Sequence, residues 1–183
     1  EFGPRDSVLA WANEVVAAHP NHQVIVATHA YMNNDGAILD GTDTGLPSDW
    51  WKDIEEGAEL PNNPEAIWDK FVKNHKNIVM VLSGHIGSRN IVMRTDTGVH
   101  GNEVKQILID AQNEDPRLDM VAMMHFSNDG QNVEVTYYSP SKGKFMNYEN
   151  QFMIHLPKQE QQEEDDDEKV IQLAVVGRPN VGK

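Results

Sequence analysis

Two histidines stand where hydrophobic runs break into polar turns. His29 closes the run Val24-Ile25-Val26-Ala27-Thr28, and His85 follows Ile78-Val79-Met80-Val81-Leu82-Ser83-Gly84. A short β-branched run of this kind predicts a buried strand, and in open α/β sheets ligands gather at strand carboxyl ends. An imidazole fixed there has little rotational freedom and offers a neutral nitrogen to a divalent metal. The chain has no cysteine, so a transition-metal site must use imidazole, carboxylate, amide or backbone oxygen. His100, in Gly98-Val99-His100-Gly101-Asn102, is a weaker candidate that needs its turn to fold back to the strand ends. Asp35, in Asn33-Asn34-Asp35-Gly36, is another, in a composition that equally suits a plain turn. His19, His22, His75 and His155 read as surface or capping residues and His125 as a sheet residue, while Asp40 and Asp43 do not match a calcium loop.

The elements that must position these residues are legible from periodicity. Asp6-Ser7 followed by Val8, Leu9, Trp11, Ala12, Val15 and Val16 at helical spacing predicts a helix over 6–18, stopped at His19-Pro20. Strands are expected at 23–28 and 77–83. Between them lies a long Asn-, Asp- and Gly-rich loop, a short helix over Trp50 to Glu56, and a second helix opened by Pro64-Glu65 with Ile67, Trp68, Phe71 and Val72 on its apolar face. From Asn90 onward short alternating runs at 90–95, 103–110, 119–126 and 131–138 predict an antiparallel meander, with Asn128-Asp129-Gly130 as a hairpin turn. Met120, Met123, Met124, Trp11 and Trp68 read as core residues. The order helix, strand, helix, strand, then meander gives an α/β fold: half of an αββα layered sandwich, with a mixed sheet and two or three helices.

The formal charge of −14 argues against a nucleic-acid partner, because backbone binding needs clustered Lys and Arg. Residues 1–157 hold 22 acids and 11 Lys or Arg, a net of −11, so the acidity belongs to the globular part. No apolar run reaches the ~18 residues of a bilayer span, and no basic, apolar leader opens the sequence, which predicts a soluble chain with no membrane partner. Residues 158–169, KQEQQEEDDDEK, read as an acidic linker between the 1–157 body and a 170–183 tail. The tail runs Val170 to Val176 into Gly177-Arg178-Pro179-Asn180-Val181-Gly182-Lys183. This fits the G-x-x-x-x-G-K phosphate loop, yet Gly177, Gly182 and Lys183 are expected to bind no nucleotide, since neither the magnesium-binding Ser or Thr nor the helix follows.

Over about 168–183 the sequence resembles the linker and truncated phosphate loop of a tandem-domain ribosome-assembly GTPase, joined to an unrelated body. With VIVATHAYMNNDG, then VLSGHIGSRN, then GVHGNEVKQILIDAQ, residues 6–150 resemble the C-terminal half of a calcineurin-like metallophosphoesterase. The resemblance implies an αββα sandwich and divalent metals, zinc, manganese or iron, that activate water for attack on phosphorus. It places metal-ligand roles on His29 and His85. Gly87 stands where the family has the second His of G-H-x-H, and the family's upstream D-x-H, G-D and G-N-H blocks have no counterpart in this sequence. The expectations are therefore a metal-dependent hydrolase of phosphomonoesters, diesters or activated triesters, or alternatively an inactive folded module. Half a sandwich exposes strand edges, so a homodimer through a sheet edge is expected to complete it and to bring ligands of two copies together.

Overall fold

Leu9, Ala12 and Val16 form one buried stripe of helix α1 (Asp6–Ala18), the pattern of a helix laid on a sheet. The computed structural model describes residues 1–51, 56–111, 120–146 and 150–157. After α1 come β1 (Val24–Ala30), α2 (Pro47–Trp50), α3 (Pro64–Lys70) and a 3-10 turn (Val72–Asn74). The strands β2 (Ile78–Gly84), β3 (Val92–Thr97), β4 (Glu103–Leu108), β5 (Val121–Phe126), β6 (Asn132–Ser139), β7 (Lys144–Met146) and β8 (Phe152–His155) follow.

The first sheet has the order β1-β2-β4-β3, with β1, β2 and β4 parallel and β3 antiparallel at the edge. In the second, β6 pairs β5 on one side and β7 and β8 on the other, all antiparallel. One core joins α1 and α3 to the first sheet through Leu9, Val16, Val26, Ile67, Val81 and Leu108. Another lies between the sheets, where Ile25, Met80 and Ile107 meet Val133, Val135, Tyr137 and Ile154. The fold is α/β, with a helical layer and two sheets stacked in that order. Val121, Met123, Phe145 and Met153 remain exposed on the second sheet, and in β5 and β8 the exposed residues alternate with inward neighbours.

Several sequence expectations shift. A short helix, α2, occupies Pro47–Trp50, where Pro47 supplies a ready first helical position and Asp49 accepts the Leu46 N–H at 3.1 Å; of the helix expected over Trp50 to Glu56, residues 52–55 lie outside the described residues. The meander is divided: β3 and β4 belong to the first sheet, where β4 inserts parallel to β2, and only β5 onward forms the second. Trp11 lies half exposed on the outer side of α1 instead of in the core, and Met123 also faces out. The Asn128-Asp129-Gly130 turn does join β5 to β6, with Gly130 at φ +68°. The linker at 158–169 and the tail at 170–183 lie outside the described residues. Among the described residues no helix is long and apolar enough to cross a membrane.

Candidate metal centre at the strand ends

Parallel pairing of β1 with β2 brings their carboxyl ends side by side, with Ala30 opposite Gly84. Two irregularities of backbone then aim the histidines. Ala27 pairs with Leu82 and Ala30 with Gly84, so β1 carries one residue more than its partner across Thr28-His29, a bulge of the kind that re-aims a side chain. His85 sits one residue beyond β2 at φ +72°, the sole non-glycine with positive φ among the described residues. The Ile86 N–H bonds the Gly84 carbonyl at 2.9 Å across it, closing a three-residue γ-turn of the rare, strained hand. Such a conformation costs on the order of 1–3 kcal/mol and persists where neighbouring structure imposes it.

The result is contact between the two rings. His85 Nδ1 lies 3.0 Å from His29 Nε2, and His85 Nε2 lies 3.0 Å from the Gly45 carbonyl oxygen. A carbonyl only accepts, so His85 Nε2 carries the proton and donates it; in the neutral ring Nδ1 is then the lone-pair nitrogen. His29 Nε2–H therefore donates to His85 Nδ1. An outward bond from the far nitrogen to a carbonyl is the arrangement that fixes tautomer and ring orientation in metal-binding histidines. Partial burial, and next the nearby His85, hold the His29 imidazole below its ordinary pKa, while the charge of Asp110 opposes them. Both effects favour the neutral ring, the form that ligates.

With the His29 proton moved from Nε2 to Nδ1, the two facing nitrogens would suit the spacing of ligands on a divalent transition ion. Around an ion ~2.0–2.1 Å from each nitrogen, the edge of a tetrahedron is about 3.3–3.4 Å. The 3.0 Å separation of the rings lies within a small rotation of that. Two imidazoles are nevertheless few, and among the described residues no third imidazole or carboxylate joins them in a group of metal-binding size.

Around the pair, Phe2 packs edge-on to His29 with ring centroids 5.2 Å apart and tilted on His85 at 5.1 Å; Trp50 stands edge-on to His85 at 6.5 Å. Phe2 also packs with Ile86 on the small core of Ala30, Leu39 and Leu46 beneath the loop after β1. The N-terminal segment is held by Gly3, at φ +68°, whose missing Cβ would lie 2.4 Å from Pro47 Cβ.

The other candidates lie elsewhere. His100 belongs to the β3–β4 turn, at the amino ends of β2 and β4, where Nε2 donates to the Asn74 carbonyl at 3.1 Å. A seven-residue strand separates it from His85 by roughly 20 Å. The parallel insertion of β4 is the reason, and His100 is not part of this centre. Asp35 Oδ1 accepts the Ala37 N–H at 2.9 Å within a tight turn, the bland alternative for that run. Arg94 and Asp96, on β3, pair with each other at 2.6 Å. Asp110, Gly45, Phe2 and Trp50 were not singled out from sequence. Asp110 had a signal, since it follows the run Ile107-Leu108-Ile109 at the end of the third parallel strand, by the same rule that marks the histidines. The Gly45 carbonyl had none, being backbone forty residues away.

No protein-family model matches the chain. It is similar to an uncharacterized protein, YvnB, of Bacillus subtilis (strain 168), 28% identical over 146 residues, which cover 76% of this chain and 10% of that protein. The chain thus spans a tenth of the length of this relative.

Proposed function

We propose that the chain carries the two-histidine part of a divalent-metal centre that hydrolyses phosphoester bonds, in the manner of calcineurin-like metallophosphoesterases. The observation that supports this reading most is the meeting of two strand-end imidazoles, 56 residues apart in sequence, nitrogen to nitrogen at 3.0 Å. A zinc, manganese or iron ion bound there would supply Lewis acidity toward a phosphoryl oxygen and toward water. The chain's own groups prepare for it. Gly45 holds His85 with Nδ1 free of a proton, burial favours the neutral His29 ring, Asp110 adds negative charge beside the pair, and Phe2 packs against one side. The missing donors come, in this reading, from a second copy or another polypeptide, and β1, which pairs on one side only among the described strands, offers an edge for it.

An inactive folded module is the second reading, and Gly87 in place of a family ligand supports it. The test is to strip the protein with chelator, reload it with zinc, manganese or iron, and measure bound metal and hydrolysis of bis(4-nitrophenyl) phosphate. Wild-type protein is expected to retain metal and turn over slowly, and His29→Ala and His85→Ala to lose both. Unchanged metal content and turnover in the two variants overturns the proposal; bound metal without turnover establishes the module. Light scattering on a size-exclusion column reads out self-association independently.

A further inference from the structure

We propose that Trp50, together with Phe2, forms an aromatic rim that selects phosphoesters bearing an aromatic substituent; this rests on the metal-centre reading above. Trp50 is 69% exposed, the most exposed large apolar side chain among the described residues. An indole left in water forgoes the large stabilisation its burial would bring. It is also held there. Trp50 ends α2, whose turn is closed by the Trp51 N–H to the Pro47 carbonyl at 3.3 Å, and Ser48 N–H bonds Asn63 Oδ1 at 3.2 Å. Pro47 in turn packs against Gly3 beside Phe2. Two aromatic rings are thereby fixed on the imidazole pair, at 5.1 Å and 6.5 Å from His85. A flat ring attached to the phosphorus would lie against them in the offset or edge-on arrangements that aromatic pairs prefer.

The rim therefore favours an ester with an aromatic face, such as an aryl or nucleoside ester.

The experiment uses two non-hydrolysable monoanions that differ in one group, methyl phenylphosphonate and methyl ethylphosphonate, titrated into zinc-loaded protein by calorimetry. Wild-type protein is expected to bind the phenyl compound roughly two- to tenfold more tightly, the span an aromatic pair adds. Trp50→Ala is expected to abolish the preference with zinc affinity unchanged, and Trp50→Phe to retain part of it. Because Trp50 is exposed, neither variant endangers the fold. Equal affinities in wild-type protein, or a preference that survives Trp50→Ala, overturns the rim. Failure of wild-type protein to bind zinc is a separate outcome that overturns the metal-centre reading, and the rim with it.

Discussion

Of the histidines at the two ends of the first sheet, one pair at each end can be compared, and the two pairs are built in opposite ways. At the carboxyl ends of β1 and β2, His29 and His85 turn nitrogens toward each other. At the amino ends of β2 and β4, His75 Nε2 meets the Asn13 amide oxygen at 2.6 Å, and His100 Nε2 meets the Asn74 carbonyl. These rings are near enough to repel as cations, yet the Nε2 of each is committed to a fixed protein oxygen. One pair holds elements together; the other turns two ring nitrogens, the Nε2–H of His29 and the lone-pair Nδ1 of His85, toward each other. Histidine count therefore says little about ligation, and the direction of the nitrogens says much.

Metal affinity should separate the pairs most strongly. Loss of partners that merely orient a ligand lowers metal affinity by roughly 10–100-fold. Removing His29 or His85 is expected to exceed that range, whereas His75→Ala and His100→Ala leave zinc affinity unchanged in calorimetric titration. A comparable loss from His100→Ala would erase the contrast.

Stability should reverse the ranking. His75 ties the 3-10 turn to α1 through Asn13 and packs on Phe71 with ring centroids 5.6 Å apart. Its replacement by alanine is expected to destabilise by about 1–2 kcal/mol, seen as a lower melting temperature, with His29→Ala closer to wild type. A sharper test uses the backbone. At φ +72° glycine is relaxed and alanine is not. His85→Gly should therefore be more stable than His85→Ala by about 1 kcal/mol, the opposite of the order in a helix. If alanine proves the more stable, the strain assigned to the γ-turn is absent.

The smallest effect is on pH. The folded state holds His29 below its ordinary pKa, through burial first and His85 second. Its contribution to stability is thus fully present above the unfolded imidazole value of about 6.5, and is lost as pH falls through the lower folded value. His75 is lowered by burial and by His100 in the same direction. Denaturant midpoints measured from pH 7 to pH 5 should fall for wild-type protein and fall less for His29→Asn. An equal slope in that variant would show that His29 titrates normally.

The sequence discloses α1, β1 and β2 to within about two residues, because their apolar periods are long and unbroken. It also discloses the β5–β6 hairpin, whose turn residues have a local conformational reason to be there. It does not disclose that β4 enters beside β2, since pairing partners are set by long-range packing; that placement sends His100 to the wrong end of the sheet for ligation. The strands β7 and β8, three and four residues long, are too short to show a period. At the site, both ring-bearing residues are visible as strand-end histidines. The features that bring them together, an extra residue in β1 and a positive φ at His85, are backbone events with no side-chain signature.

The extra residue in β1 makes the centre depend on odd and even. Successive side chains along a strand alternate between faces, so removal of one residue from the four that run from Ala27 to Ala30, opposite the three from Leu82 to Gly84, would restore plain alternation. His29 would then shift its facing relative to every residue before it, with no change in the chemistry of any side chain. Substitution can tune this site, but a single-codon deletion at Thr28 would dismantle it, and chains descended from a common ancestor should keep this segment's length more faithfully than its letters.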